Sequence, residues 1–236
     1  MKAMLLAAGL GTRLRPWTED RPKCMVDVAG KPVLQRNLEW LRSQGVVEVV
    51  VNLHLHAQVV TGHFGDGRAF GVHIDYSYEP DLMGTAGAIW MARDFFAGSP
   101  FWVVYGDNLF DFDLKRVSEV HLSNQALLTM ALFWRQDVSA SGVVQINEAG
   151  RVLGFKEKPR PGEIPSNWVN AGLYLCEPRV MDFIPPGWTC DFGHDILPAM
   201  LSAGEPMYGY TLGPGETLYW IDTPEDLART VAALQR

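Results

Sequence analysis

Leu5-Leu6-Ala7-Ala8-Gly9-Leu10-Gly11-Thr12-Arg13-Leu14-Arg15-Pro16 is the most distinctive stretch near the start of the sequence. It continues a short apolar run, Met1 to Ala7, which predicts a first β-strand. The small residues that follow predict a tight turn, where backbone N–H groups can approach an anion closely. Two glycines after a strand equally describe an ordinary tight turn, and their spacing matches neither a P-loop nor Gly-x-Gly-x-x-Gly. The loop alone therefore leaves both interpretations open.

Short apolar runs alternate with longer amphipathic segments outward from this loop. The predicted strands here are Val46 to Val51 and Phe101 to Tyr105, and the predicted helices are Pro32 to Gln44, Thr85 to Phe96 and Leu114 to Leu122. Proline is tolerated at the first helical position, and Asp113 is well placed to cap the third helix. This alternation predicts βαβ units and a mostly parallel sheet, which is an α/β fold.

The pattern changes near residue 127, where short apolar runs are separated by polar turns. These runs predict strands at Leu127 to Trp134, Val143 to Ile146, Val152 to Glu157 and Ala171 to Cys176. The cluster Pro159 to Pro165 predicts an exposed loop, and Thr223, Pro224 and Asp226 predict a final helix with capping-box chemistry. We interpret this half as a mixed-sheet region of one domain spanning residues 1–236.

Composition excludes nucleic acid as the main partner. The 236 residues carry a formal net charge of −7, whereas a phosphate backbone is held chiefly by a surplus of lysine and arginine. A small anionic substrate needs only a local cationic cluster. The hydrophobic content of 47% is enough for one sizeable core.

Cysteine usage and hydropathy predict a cytoplasmic protein. Cys24, Cys176 and Cys190 are too few and too scattered for a disulfide framework. No segment reads as a secretion signal, and no run approaches the roughly 20 apolar residues that cross a bilayer. We therefore expect no membrane partner. The oligomeric state stays open, with a homo-oligomer as one alternative.

Six blocks of sequence, in order, resemble the sugar-1-phosphate nucleotidylyltransferases. The first is the opening stretch with Arg21-Pro22-Lys23 and Gly30-Lys31-Pro32. The others are Met83-Gly84-Thr85-Ala86, Gly106-Asp107-Asn108, Phe155-Lys156-Glu157-Lys158-Pro159, Asn170-Ala171-Gly172-Leu173-Tyr174 and Trp220-Ile221-Asp222-Thr223-Pro224. Six ordered blocks are far more specific than any one. The resemblance implies a Rossmann-like mixed, mainly parallel sheet flanked by helices, of the nucleotide-diphospho-sugar transferase type.

The resemblance also implies a reaction, in which a nucleoside triphosphate and a sugar 1-phosphate give a nucleotide sugar and pyrophosphate. Two highly anionic reactants must meet, so charge neutralisation and in-line positioning should supply most of the catalysis. By resemblance, the catalytic residues are Arg13, Lys23, Asp107 and Asp222. The implied nucleotide-binding residues are Leu6, Ala7, Ala8, Gly9, Gly11, Thr12, Arg13, Gly84 and Thr85.

By resemblance, Asp107 and Asp222 would ligate Mg²⁺, for which carboxylate oxygens are suitable ligands. Asp107 follows a predicted strand, at an end where ligand crevices form in open α/β sheets. Asp111 and Asp113 compete by composition, although we interpret them as a turn residue and a helix cap. The spacings His54-x-His56 and Cys190-x-x-x-His194 lack convincing further ligands.

The resemblance places the sugar against a third group of residues. They are Gly142, Glu157, Lys158, Asn170 and Gly172. Glu157 and Lys158 pair an acceptor with a cation, which suits sugar hydroxyls and the sugar phosphate. Neighbouring residues on a strand face opposite sides, so both can serve one ligand only near a strand end.

Two segments, Val143-Val144 through Glu157-Lys158-Pro159 and Asp191 to Pro198, resemble short guanylyltransferases more than thymidylyltransferases. This resemblance favours GTP and a mannose- or heptose-type 1-phosphate. Glu79 or Asp81 could accept hydrogen bonds from guanine, and each could equally be a solvated turn carboxylate. The alternatives are thymidylyl or uridylyl transfer to a hexose 1-phosphate, a phosphocholine cytidylyltransferase, and a non-catalytic regulatory subunit that binds nucleotide sugars.

Overall fold

A computed structural model of the chain describes residues 1–96, 98–160 and 162–235. The chain forms two compact units, each assembled from separate segments. Unit 1 contains Met1–Leu82, Val104–Asp111 and Thr217–Arg236, and unit 2 contains Met83–Val103 and Phe112–Glu216. The assignment of residues 1–236 to a single domain stays a prediction.

The strands in chain order are β1 (Lys2–Leu6), β2 (Asp27–Val28), β3 (Lys31–Pro32), β4 (Glu48–Leu53), β5 (His73–Tyr78), β6 (Phe101–Tyr105), β7 (Asn108–Asp111), β8 (Leu128–Trp134), β9 (Gly142–Ile146), β10 (Val152–Glu157), β11 (Trp168–Cys176), β12 (Met207–Thr211) and β13 (Thr217–Trp220). The helices are α1 (Val33–Ser43), α2 (Ala57–Phe64), α3 (Gly84–Met91), α4 (Arg93–Phe96), α5 (Leu114–Ser123), α6 (Leu197–Ser202) and α7 (Pro224–Leu234). Within the described ranges, every helix falls short of the length and apolar character needed to cross a membrane.

Parallel pairing organises unit 1. Strand β4 pairs with β1 on one side and β5 on the other, with Leu6 opposite Asn52 and Leu53 opposite Tyr78. The run Val49 to Leu53 is buried throughout, as expected for a strand covered on both faces. Three neighbouring strands therefore end at the same edge of the sheet.

A second, antiparallel pair in unit 1 joins distant parts of the chain. Strand β7 pairs with β13, with Asn108 opposite Trp220. Helix α7 follows β13 and begins with a capping box between Thr223 and Asp226, so the predicted capping chemistry is confirmed. Buried apolar side chains pack around these elements: Leu14, Val26, Val28, Val33, Leu109, Ile221 and Leu227.

Unit 2 is a mixed-sheet region, as predicted. Strand β8 pairs antiparallel with β11 and parallel with β12, while β9 pairs antiparallel with both β10 and β11. Asp113 caps α5 by accepting a hydrogen bond from the backbone N–H of Lys115, which confirms its interpretation as a cap. Together with unit 1, this arrangement confirms the α/β class with a mixed, mainly parallel sheet flanked by helices.

Three local predictions are wrong. Asp111 is the last residue of β7 and pairs with Thr217 rather than lying in a turn. The helix expected over Thr85 to Phe96 is two helices, because the chain leaves helical geometry at Ala92. Strand β11 begins at Trp168, three residues earlier than expected, because Trp168 and Val169 pair with both β8 and β9 ahead of the apolar run. The predicted loop Pro159 to Pro165 follows β10, with Pro161 outside the described residues.

Candidate active site

The loop after β1 has a backbone that only glycine adopts readily at one position. Gly11 lies at φ +62°, in the left-handed region. Its carbonyl accepts a hydrogen bond from the Thr18 hydroxyl at 2.8 Å. A Cβ atom at Gly11 would lie 3.1 Å from Cβ of Lys23. The loop therefore packs directly against the residue that carries a lysine ammonium.

That ammonium lies between two carboxylates. Nζ of Lys23 is 2.8 Å from Oδ2 of Asp107 and 2.7 Å from Oδ1 of Asp222. The guanidinium of Arg13 lies 3.2 Å from the same oxygen of Asp222. All four predicted catalytic residues therefore meet within unit 1. We call Arg13, Lys23, Asp107 and Asp222 the lysine–carboxylate cluster.

Burial and charge act in opposite directions on Lys23. Burial would lower the pKa of this lysine, but the adjacent carboxylates of Asp107 and Asp222 outweigh burial and raise its pKa above the ordinary value. Lys23 therefore stays protonated across the physiological range. It carries a fixed positive charge that holds the two carboxylates together.

Close backbone approach positions Asp107. The N–H of Gly106 donates to the carbonyl of Leu6 at 2.9 Å, and a Cβ atom at Gly106 would lie 2.8 Å from that oxygen. Glycine thus allows the chain after β6 to pack against the end of β1. Asp107 follows immediately, which brings its carboxylate to the edge where the loop begins.

Asp226 braces the segment that carries Asp222. Its carboxylate accepts hydrogen bonds from Nε1 of Trp220 at 3.0 Å and from the backbone N–H of Thr223 at 3.0 Å. These donors lie on either side of Asp222 in sequence. The capping box of α7 therefore also fixes the backbone that presents the second carboxylate.

The chemistry of the cluster suits a magnesium ion. In the described part of the chain, no three or more histidine, cysteine, aspartate or glutamate side chains form a group able to hold a metal. The spacings His54-x-His56 and Cys190-x-x-x-His194 are therefore not part of such a group. Mg²⁺, however, commonly takes one or two protein carboxylates, with substrate phosphates and water completing its shell. Asp107 and Asp222, both within 2.8 Å of one nitrogen atom, supply such a pair.

The predicted sugar residues lie in unit 2. Glu157 ends β10 and is paired with Gly142 at the start of β9. A Cβ atom on Gly142 would lie 2.7 Å from Oε2 of Glu157, and one on Gly193 would lie 2.9 Å from it. Lys158 turns away from the strand at φ +46°. These contacts place the Glu157 carboxylate between two glycines, at the strand end expected for this pair.

Burial raises the pKa of Glu157 above its ordinary value. Lys158 and His194 oppose this shift through their charge, while Asp191 adds to it. No hydrogen bond to a described residue accounts for this carboxylate. An acceptor that is half buried and held at a strand end is suited to a ligand hydroxyl.

Asn170 and Gly172 form an irregular section of β11. The N–H of Gly172 donates to the side-chain oxygen of Asn170 at 3.0 Å, and the Asn170 amide donates to the Tyr174 hydroxyl. Gly172 lies at φ +73°. The pairing with β8 shifts register here, so this section of β11 departs from regular strand geometry.

Asp191 holds the predicted nucleotide-binding turn, although the sequence did not predict it as a site residue. Its Oδ2 accepts a hydrogen bond from the Thr85 hydroxyl at 2.7 Å, and that hydroxyl accepts from the N–H of Phe192 at 2.9 Å. Its Oδ1 accepts from the N–H of Gly193 at 2.8 Å. The Thr85 hydroxyl is therefore engaged within the fold.

Gly84 fits tightly against the same segment. It lies at φ +74°, and a Cβ atom there would be 2.3 Å from the carbonyl oxygen of Cys190. Two further N–H groups, of Ala86 and Gly87, donate to that carbonyl. Close packing explains why glycine stands at position 84.

The two acidic residues considered for guanine differ in their surroundings. Asp81 is exposed, whereas Glu79 is 1% exposed and accepts a hydrogen bond from Nδ2 of Asn52 at 2.7 Å. Glu79 is therefore not a solvated turn carboxylate. Asn52 was not predicted as a site residue, although a polar residue at the carboxyl end of an apolar strand is a detectable signal.

Comparison with known proteins identifies the family. The family model described as nucleotidyl transferase matches residues 2–233. The chain belongs to this nucleotidyl transferase family. The family resemblance stated from the sequence is thereby confirmed.

Two curated relatives within this family carry different names. A UTP–glucose-1-phosphate uridylyltransferase from Synechocystis sp. is 37% identical over 235 residues, and a mannose-1-phosphate guanylyltransferase from Mycobacterium tuberculosis is 36% identical over 237 residues. The matches cover 94% and 99% of this chain. The chain spans 60% and 64% of the length of these relatives.

Solved structures confirm the nucleotide-diphospho-sugar transferase fold. HddC from Yersinia pseudotuberculosis, complexed with GMP-PN, superposes with a TM-score of 0.83 at 28% identity, covering 99% of both chains. A putative glucose-1-phosphate thymidylyltransferase from Bacillus anthracis gives a TM-score of 0.88 at 23% identity, covering 99% of this chain and 94% of the other. The second likeness supports the fold alone.

Proposed function

We propose that this member of the nucleotidyl transferase family transfers a nucleotidyl group from a nucleoside triphosphate to a sugar 1-phosphate, in a reaction that depends on Mg²⁺. The observation that carries the proposal is the position of Lys23 between Asp107 and Asp222. A phosphate oxygen of the sugar 1-phosphate would attack the α-phosphorus. The bond from that phosphorus to the oxygen bridging to the β-phosphate would break, and pyrophosphate would leave.

Charge balance supports the requirement for a divalent cation. The two carboxylates of the lysine–carboxylate cluster cancel the formal charges of Lys23 and Arg13, so the four side chains offer no surplus positive charge to a triphosphate. Asp107 and Asp222 would hold Mg²⁺. When bound there, the ion would offset charge on the α-phosphate and orient the displacement.

The remaining residues would bind and orient the two substrates. Arg13, with a side chain 68% exposed, would bring its forked guanidinium to the triphosphate oxygens. Lys23 would contact phosphate oxygens while keeping the two carboxylates in place. In unit 2, Glu157 would accept hydrogen bonds from sugar hydroxyls and Lys158 would neutralise the sugar phosphate. None of these groups forms a covalent intermediate.

We further propose GTP as the preferred nucleotide, with a mannose- or heptose-type 1-phosphate as its acceptor. The guanylyltransferase from Mycobacterium tuberculosis and the GMP-PN complex of HddC both support this choice. The second candidate is uridylyl transfer to glucose 1-phosphate, which the relative from Synechocystis favours. A cytoplasmic location stays a prediction from cysteine usage.

Pyrophosphate release from the purified chain tests the reaction. We expect release only when nucleoside triphosphate, sugar 1-phosphate and Mg²⁺ are all present, with loss of activity on adding excess EDTA and recovery on adding Mg²⁺. Equal release without sugar phosphate would indicate a hydrolase. Competition among GTP, dTTP, UTP, CTP and ATP at equal concentration then tests the base, and a preference for a pyrimidine would reject the guanylyl assignment alone.

A further inference from the structure

A chain of hydrogen bonds between buried groups begins where the loop leaves β1. The backbone N–H of Ala7 donates to Oδ1 of Asn52 at 2.7 Å, and Nδ2 of Asn52 donates to Oε1 of Glu79 at 2.7 Å. Asn52 is 4% exposed and Glu79 is 1% exposed. The three residues lie at or just beyond the carboxyl ends of β1, β4 and β5, all in unit 1.

Packing alone does not explain these polar groups. Burying an amide and a carboxylate costs free energy unless each finds hydrogen-bond partners, and apolar side chains would fill the same space without that cost. At the end of β1, the N–H of Ala7 is bonded by a side chain of β4. The first amide after the strand is therefore held by Asn52 specifically.

The two ends of the Asn52 amide are not interchangeable. The N–H of Ala7 can only donate, so the oxygen of the Asn52 amide must face it. The nitrogen must then face an acceptor, and Oε1 of Glu79 is that acceptor. The backbone of Glu79 is itself held, because its N–H donates to Leu53 and its carbonyl lies 2.8 Å from Nδ1 of His54.

We propose that Asn52 and Glu79 are positioning residues for the phosphate loop. Asn52 holds the N–H of Ala7 and thereby sets the direction in which the chain enters the segment Ala8 to Gly11, whose amides would contact the triphosphate in the proposed reaction. Glu79 fixes the orientation of the Asn52 amide. This inference rests on the proposed function, because it concerns how the nucleotide is held.

A paired substitution tests the positioning role of Asn52 and Glu79. Asn52→Asp keeps an oxygen facing Ala7 but places a second carboxylate against Glu79, where two like charges repel. We expect this variant to bind GTP, added as its Mg²⁺ complex, about tenfold or more weakly, with the KM for the sugar 1-phosphate changed by less than about threefold. Adding Glu79→Gln to Asn52→Asp restores both hydrogen bonds with the second one reversed in direction. The double variant should bind GTP within about threefold of the wild type.

The measurement is equilibrium binding of each nucleoside triphosphate, followed by steady-state kinetics and thermal unfolding of the same variants. Asp75→Asn, which alters an exposed carboxylate of β5, is the matched control and should bind as the wild type does. The positioning role would be overturned by a double variant that binds GTP no better than Asn52→Asp does. Unchanged GTP binding by Asn52→Asp would overturn it as well. A changed base preference with unchanged GTP affinity would overturn it too, by making Glu79 a direct reader of the base. Failure of the wild type to bind any triphosphate would instead reject the proposed function.

Discussion

Nζ of Lys23 lies 2.7 Å from Oδ1 of Asp222, although 199 positions separate these residues in the chain. The same nitrogen lies 2.8 Å from Oδ2 of Asp107. One buried cation thus joins three distant segments of unit 1. The carboxylates on either side are the groups that the proposed reaction depends on most.

Replacing either carboxylate by its amide should abolish most of the turnover. Asp107→Asn or Asp222→Asn removes a carboxylate proposed to bind Mg²⁺ and is expected to lower kcat by at least about a hundredfold. Pyrophosphate release measures the effect, with circular dichroism as the check on folding. Asp111→Asn, at the exposed end of β7, is the control and should retain nearly full activity. Near-normal turnover in both Asp107→Asn and Asp222→Asn would remove these residues from the metal site.

Arg13 and the Glu157–Lys158 pair should act on different substrates. Arg13→Ala is expected to lower kcat/KM for the nucleoside triphosphate by about tenfold or more, because it removes the guanidinium proposed to contact the phosphates. Glu157→Ala and Lys158→Ala should mainly raise the KM for the sugar 1-phosphate. Initial-rate kinetics with each substrate varied in turn separates the two effects. The opposite assignment would reject the proposed division of binding between these residues.

Glu157 should show a conflict between binding and stability. Its pKa is raised in the fold, chiefly by burial, so the folded state binds this proton more tightly than the unfolded state. The associated stability is present below the ordinary value of 4.5 and is lost as the pH rises through the folded-state pKa. Glu157→Gln should therefore raise the Tm at neutral pH while weakening use of the sugar 1-phosphate.

Thermal unfolding across a pH series tests that conflict. The gain in Tm from Glu157→Gln should shrink as the pH falls toward 4.5, the ordinary glutamate value, because the wild-type side chain then becomes protonated. A gain that is constant with pH would show that charge burial is not its cause. Glu163→Gln, which alters an exposed carboxylate whose pKa is lowered chiefly by a backbone hydrogen bond, is the control and should not raise the Tm.

Gly84→Ala should destabilise the fold through its backbone conformation and through a close contact. A left-handed backbone costs a non-glycine residue about 1–2 kcal/mol, and Gly84→Ala adds a contact of 2.3 Å with the carbonyl oxygen of Cys190. Gly204→Ala separates the two effects, because Gly204 has a similar φ of +72° and no heavy atom within 4 Å of the added carbon. We expect Gly84→Ala to lower the free energy of unfolding, measured by chemical denaturation, by about 1–3 kcal/mol more than Gly204→Ala does. Equal losses would show that the Cys190 contact relaxes without cost.

The sequence predicts the residues of the lysine–carboxylate cluster better than it predicts Asn52 and Asp191, which hold neighbouring segments in place. Lys23, Asp107 and Asp222 stand in ordered blocks that carry the family resemblance, and strand periodicity places Asp107 after β6. Asn52 and Asp191 act through tertiary contacts, with Asp191 reaching Thr85 from 106 positions away. Hydropathy marks Asn52 as a polar residue at the end of an apolar strand, but neither spacing nor hydropathy shows which distant residue Asn52 or Asp191 contacts.

Predictions of secondary structure from local sequence failed where pairing between distant strands determines the structure. Asp111 has the composition of a turn, but β13 supplies a strand partner from the far end of the chain. Strand β11 likewise starts at Trp168 because β8 and β9, which are distant in sequence, pair with its first two residues. In both cases a tertiary interaction overrides the local preference.

Unit 1 is made of three separate segments, and the last of them, residues 217–236, is synthesised after all of unit 2. A nascent chain that has emerged as far as Glu216 already contains Lys23 and Asp107, but it lacks β13, the strand that pairs with β7. Unit 2 is complete in sequence at that moment, whereas the pairing of β7 with β13 and the second carboxylate must await residues 217–236. If unit 2 folds as an independent domain, it can fold on the ribosome ahead of unit 1. A chain that ends before residue 217 would then contain the proposed sugar-binding residues and both members of the Lys23–Asp107 pair, but it would lack Asp222, the second carboxylate around the lysine.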